Sequence, residues 1–468
     1  MTSRLSIFSF LILIFLSCSE DKKLVKPNII IILVDDAGYA DFGFMGSKDL
    51  NTPNLDKLAH GGMIFTDAHV SASVCAPSRA GLLTGRYQQR FGFECNALGS
   101  FSGIDPEEIT IAEMLQSAGY KTSVFGKWHV GDIPQARPNE AGFDYSWSFL
   151  SGARSYFPNE REDLEGHVKS IRENDKFTTF DGYLTDALGD KAVEFIDRNK
   201  RSPFFIYWSP NAVHTPMEAT VEDLQRFEGH PRQKLAAMTW ALDRAVGKIY
   251  DKLSGEGILD NTLIFFLSDN GGAGNNQSSN LPLKGYKGNK YEGGHRVAFF
   301  AHWPDQIESG IRFGGLTSSL DIYATAADVS GAELGSEIHL DGVSLLPYFI
   351  GDRKDDPHQE MYWRKEGMAA SRDGDYKMIR VDSLGYRLYN LKSDLGEVDD
   401  LTKIKKDRLA SMQDKMQHWE AGLIEPLWVE SKEWNEVTWY IHKDLYENQK
   451  VRAQSPQELK RLKAVSKK

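Results

Sequence analysis

Cysteine is scarce in this chain: its 468 residues include three, Cys18, Cys75 and Cys95. A fold of this length needs no disulfide framework, although a Cys75–Cys95 bridge stays open in an oxidising compartment. Positive charge is also short. A formal net charge of -11 argues against a nucleic-acid partner, because such proteins normally carry a basic face. An anionic substrate is still allowed, since a cleft can be locally positive on an acidic protein. The chain has no apolar run long enough to span a bilayer, no internal repeat and no low-complexity linker. What it does have is 41% hydrophobic residues, enough for a large core spread over about two or three domains.

The N-terminus reads as a processing segment. Arg4 precedes a largely apolar run from Leu5 to Leu16, followed by Ser17 and Cys18, which is the layout of an export signal. Phe15-Leu16-Ser17-Cys18 resembles a lipobox, whose cysteine is lipidated and becomes the mature N-terminus. An ordinary signal peptide is the alternative. We expect residues 1–18 to be removed or anchored, giving a periplasmic or outer-membrane/cell-surface lipoprotein whose only membrane contact is that anchor.

Short apolar runs separated by helical patterns predict an α/β fold around a buried, mostly parallel sheet. Strands are expected over 29–34, 121–125, 204–208, 262–267 and 297–303, with covering helices over 184–198 and 234–253. The residues after four of these strands carry chemistry. They are Asp35-Asp36, Lys127-Trp128-His129, Asn211 to His214, and Asp269-Asn270-Gly271-Gly272. In open α/β sheets ligands bind at the carboxyl edge, so these segments point to one site. From about residue 358 the pattern becomes short alternating strands over 360–364, 368–372, 376–381 and 386–391, then a helix over 405–419. We therefore divide the chain into a catalytic domain (27–350), a smaller α+β unit with an antiparallel sheet (351–425), and an aromatic, charged tail (426–468). That tail is expected to end in a frayed basic helix from Gln457.

Cys75-Ala76-Pro77-Ser78-Arg79, continuing to Leu82-Leu83-Thr84-Gly85, is the most specific signal. It reads as a helix start, with Cys75 at the N-cap and Pro77 in the first turn. A residue there faces free N–H groups and the positive end of the helix dipole, which suits an oxyanion. Arg79 brings a permanent charge to the same place. This segment resembles the signature of the type I, formylglycine-dependent sulfatases of the alkaline phosphatase superfamily. Lys284-Gly-Tyr-Lys287, leading to Tyr291-Glu292-Gly293-Gly294, resembles their second hallmark. The likeness spans about residues 27–420. His295 departs from it, standing where an aliphatic residue is commoner, and is expected to touch the pocket.

Asp35, Asp36, Asp269 and Asn270 are all oxygen donors, a set suited to calcium or magnesium rather than zinc. The resemblance names calcium, adds an oxygen of residue 75 as ligand, and implies that a maturation enzyme oxidises Cys75 to formylglycine. It also implies roles. The hydrated aldehyde attacks sulfur, His214 protonates the leaving oxygen with Lys287 beside it, His129 accepts a proton as sulfate is released, and Lys127 and Arg79 hold the nucleophile. The expected substrate is a sulfated carbohydrate such as an algal galactan or a host glycan, its specificity set by residues 93–103, 152–176, 274–284 and the tail. The competing readings are a phosphatase or phosphodiesterase of the same fold and a non-catalytic glycan-binding lipoprotein.

Overall fold

The computed structural model describes residues 26–96, 103–335 and 338–465; the segment expected to be an export signal, including Cys18, lies outside them. A ten-stranded sheet runs through the larger domain. Its middle is five parallel strands, Thr262–Ser268, Asn28–Val34, Phe204–Ser209, Lys121–Lys127 and Tyr145–Phe149. The strand Asn28–Val34 is buried along its whole length. Alternate residues serve opposite cores: Ile30, Ile32 and Val34 pack beneath the helices Leu184–Asn199 and Gln233–Gly255. Ile29, Ile31 and Leu33 pack beneath Cys75–Thr84, Ile111–Ser117 and Asp321–Ser330. Burial on both faces is why these strands are continuous apolar runs instead of alternating ones.

The sheet is mixed at its edges. The run expected over 297–303 forms the strand Phe299–His302, which is antiparallel to Thr262–Ser268 and to Met63–Phe65. At the far edge Ile171–Glu173 runs antiparallel to Tyr145–Phe149.

The C-terminal part is a four-stranded antiparallel sheet of Glu360–Lys365, Met368–Asp373, Tyr376–Val381 and Gly385–Asn390. The helix Lys406–Glu420 covers one face through Met412 and Met416. The aromatic tail covers the other. Its helix Lys432–Tyr446 seats Val437, Ile441 and Leu445 against Trp363, Ile379 and Tyr389, and a last helix, Pro456–Val465, packs beside it. Among the described residues, no helix is long and apolar enough to cross a membrane.

Candidate active site

Strand register assembles the site. Val34 pairs with Ser268 across the two central strands, so Asp35 and Asp269 leave the same edge side by side. Gly126 pairs with Ser209, which delivers Lys127 next to them. Asp35, Asp36, Lys127, Asp269 and Asn270 lie at this carboxyl edge and are buried. Asp36 and His129 both have positive φ, 61° and 60°, a region non-glycine residues seldom occupy and one that tends to persist at functional sites. Asn276 steadies Asp36 by donating to its carbonyl at 3.0 Å.

Cys75 enters from the opposite side, on the helix Cys75–Thr84. The expected N-cap is displaced by one residue: Val74 is the extended cap and Cys75 is the first helical residue. The helix end is also less open than the sequence suggests, because Asn96 accepts the Ala76 N–H at 3.1 Å. Cys75 Sγ lies 3.0 Å from Lys287 Nζ and 3.6 Å from Asp35 Oδ1. Both Cys75 and Cys95 are free thiols, so the disulfide left open above does not form. Burial, followed by the Asp269 charge, pushes the Cys75 thiol up to about 12.

Ion pairs bind the cluster together. Lys127 Nζ donates to Asp35 at 2.7 Å, and Lys287 Nζ lies 2.7 Å from Asp36 Oδ1. Arg79 grips Asp269 through Nε and Nη2 at 2.9 and 2.8 Å, and also donates to the Lys127 carbonyl and the Ser209 hydroxyl. Its donors therefore fix Asp269, and it influences residue 75 through its charge. Burial alone would raise Asp35, but Lys127, His214 and Arg79 overcome it and hold the carboxyl well below the usual range. Asp269 goes the other way, raised by burial and by Asp35 despite Arg79. Three carboxylates thus face three cations, and the cluster is close to neutral as it stands.

The histidines occupy separate corners. His214 Nδ1 donates to the Thr215 carbonyl at 2.6 Å, turning Nε2 to within 3.5 Å of Asp36. His129 is half-buried, with its enclosed Nδ1 lacking a partner. Burial, then Lys127 and Arg79, hold its pKa well below the ordinary value.

Ligand atoms of Asp35, Asp36, Cys75 and His214 all lie within 4.8 Å of one another. Asn270 donates its amide nitrogen to Asp36 at 2.8 Å, which leaves its buried Oδ1 without a partner.

The second hallmark is partly scaffolding. Gly271 and Gly293 let two backbones touch: a Cβ on Gly271 would sit 1.8 Å from the Gly293 carbonyl oxygen. Glu292 pairs with Lys377 at 2.9 Å and also with Arg296 and Arg372, joining the two sheets. Lys284 donates to the Glu397 carbonyl and to Asn448, and Lys287 alone of these enters the site. His295 does not reach the pocket. It stacks on Trp363 at 4.0 Å and shares a hydrogen bond with His69 in the buried junction. Sequence reasoning passed over Asn96, Ser209 and Asn276, polar loop or strand-end residues with no local pattern to mark them.

A cluster of carboxylates and cations thus lies at the carboxyl edge of a largely parallel sheet that is covered by helices and joined to a smaller antiparallel sheet, the site of an α/β enzyme. Comparison with known proteins narrows the class. The Sulfatase family model matches residues 27–332. N-acetylgalactosamine-6-sulfatase of Canis lupus familiaris is 33% identical over 377 residues, covering 75% of this chain and 71% of that one. Arylsulfatase A of Bos taurus is 34% identical over 391 residues, covering 75% and 74%. Among solved structures, Ps i-CgsB in complex with k-i-k-neocarrahexaose superposes with a TM-score of 0.83 at 39% identity, covering 89% of this chain and 97% of that one. The chain belongs to the sulfatase family and is a sulfuric ester hydrolase.

Proposed function

We propose that this enzyme removes a sulfate ester from a sulfated galactan oligosaccharide, with residue 75 acting as formylglycine and a calcium ion held beside it. The observation that carries the reading is the place of Cys75, whose Sγ lies 3.0 Å from Lys287 Nζ and 3.6 Å from Asp35 Oδ1 among the strand-end carboxylates. Burial pushes its thiol up, so the unmodified side chain is a poor nucleophile. An aldehyde at this position, hydrated, supplies the missing hydroxyl nucleophile. Sγ stands where an oxygen of that residue would lie, against Lys287 and Asp35.

The donor set fits a hard divalent cation. Asn270 Oδ1 is buried and unpartnered, and burial together with the neighbouring Asp35 charge raises the Asp269 carboxyl. Asp35, Asp36, Asp269 and Asn270 would hold the ion, with an oxygen of residue 75. When bound, calcium withdraws charge from the sulfate oxygens. It would also turn a near-neutral cluster net positive, which favours an anionic ester.

The remaining chemistry belongs to side chains of this chain. Lys287 Nζ, already at residue 75, binds sulfate oxygens, and Lys127 holds Asp35 in place. His214 Nε2, aimed by its Nδ1 hydrogen bond, holds the proton for the leaving sugar oxygen. His129 stays neutral, so its free Nδ1 accepts a proton from residue 75 in the step that frees sulfate.

The galactan reading draws on the relative bound to k-i-k-neocarrahexaose, which is similar over nearly the whole chain. The lipobox-like Phe15 to Cys18 supports an exported enzyme, anchored at the cell surface or in the periplasm. Conversion of Cys75 requires a formylglycine-generating partner. The test is sulfate release from k-i-k-neocarrahexaose, from N-acetylgalactosamine 6-sulfate and from a phosphate monoester. We expect sulfate from the hexaose. Turnover of the phosphate ester alone would refute the reading.

A further inference from the structure

The cavity that contains Asp36, His214 and Lys287 does not end at the catalytic domain. It has a volume of about 420 Å³, within the range of about 300–1,000 Å³ typical of small-molecule sites. Its outer wall is the tail helix, which contributes Trp434, Val437, Thr438 and Ile441. These follow the i, i+3, i+4, i+7 spacing of one helix face. Val437, Thr438 and Ile441 are buried, whereas the Trp434 indole, one turn nearer the helix start, is 45% exposed. The apolar face of the helix therefore overshoots the sheet it packs on and presents a flat ring to the open part of the cleft.

The helix start that carries the ring is held in place. Ser431 caps the helix by accepting the Trp434 N–H at 3.3 Å. Glu366 in the turn between the first two strands of the C-terminal sheet accepts from Glu430 N at 2.7 Å and from Asn435 Nδ2 at 2.6 Å. Downstream, Gln454 lies against Gly274, where a Cβ would come within 2.1 Å of its side-chain oxygen. The tail thus packs against the loop that follows Asp269 and Asn270.

Charge indicates what the wall accepts. Among the described residues lining the cavity, the lysines are Lys287 and Lys365, and no arginine joins them. Lys287 is committed to Asp36, and Lys365 pairs with Glu430 at 3.0 Å, both largely buried. The outer wall therefore has no spare cation for a second sulfate and offers an indole in its place. We propose that Trp434 is a stacking platform for the pyranose ring next to the sulfated one, bound by its C–H face and uncharged where it meets the wall. The inference rests on the oligosaccharide reading above.

The test measures binding apart from turnover. In the calcium-loaded Cys75→Ala protein, which cannot form the nucleophile, titration calorimetry with k-i-k-neocarrahexaose gives one affinity and titration with inorganic sulfate another. Sulfate reaches only the inner pocket. Adding Trp434→Ala should weaken hexaose binding by about ten-fold or more, the scale of a truncated aromatic anchor. Sulfate affinity should stay within about two-fold, and Trp434→Phe should recover most of the hexaose affinity. Unchanged hexaose affinity overturns the proposal, as does a parallel loss for hexaose and sulfate, which would mean general damage. If the Cys75→Ala protein binds no hexaose and the unaltered enzyme releases no sulfate from it, the substrate reading itself fails and takes this inference with it.

Discussion

Replacing Lys127 with Met tests the electrostatics of the site without touching a proposed ligand. Lys127 and Asp35 are both fully buried and 2.7 Å apart. Removing one partner of such a pair leaves an uncompensated charge at a cost of about 3–5 kcal/mol. Asp35 keeps the fields of His214, Arg79 and Lys287, so we expect the lower end, about 3 kcal/mol. The sign of the pH dependence should also invert. In the unaltered protein the Asp35 carboxyl is depressed, so its contribution is present above the unfolded value of about 3.9 and is lost as pH falls through the folded value. Without Lys127, burial raises the folded value above the unfolded one. The penalty is then full at neutral pH and is relieved as acid protonates the carboxyl. Urea unfolding in chelator at pH 7.5 and pH 5 measures both terms. A deficit of about 3 kcal/mol that narrows at the lower pH is expected. A deficit below about 1 kcal/mol, or one equal at both pH values, would refute the reasoning.

Other consequences are more direct. His214→Ala should lose roughly 10²–10⁴-fold on sugar sulfates but far less on an aryl sulfate whose phenol leaves without help. His129→Ala should lose activity equally on both and accumulate sulfate bound at residue 75. Single-turnover kinetics with mass spectrometry separates the two, and equal leaving-group dependence would overturn the assignment. Asp36→Ala or Asn270→Ala should abolish turnover while leaving the far-ultraviolet circular dichroism unchanged. Chelation of the unaltered enzyme should remove activity, with calcium restoring it better than zinc, and restoration by zinc alone would contradict the oxygen-donor site.

Much of this was legible because the central strands are buried on both faces. Ile29 to Val34 and Thr262 to Leu267 read as unbroken apolar runs, and acidic pairs directly after such runs belong at the sheet's carboxyl edge. The strands Met63–Phe65 and Ile171–Glu173 span three residues each, too few for any period to register. The direction of Phe299–His302 depends on its pairing partners, which are far away in sequence. The helix cap was misplaced by one residue because Val74, with no capping side chain, takes the extended conformation, while Asn96 supplies the missing acceptor from another loop. His295 was expected at the pocket because it departs from the second hallmark where an aliphatic residue is commoner. The short helix Glu292–His295 carries it instead into the junction with Trp363. The tail was expected to bear on specificity from its aromatic content alone, and its packing on the C-terminal sheet is what makes it a wall of the cavity.

The central claim is that residue 75, oxidised from cysteine, is the working nucleophile. Peptide mapping of enzyme that is actively releasing sulfate should find the peptide carrying Cys75 lighter by about 18 Da, as thiol becomes aldehyde. Full sulfatase activity in protein whose Cys75 is quantitatively an unmodified thiol would contradict the account.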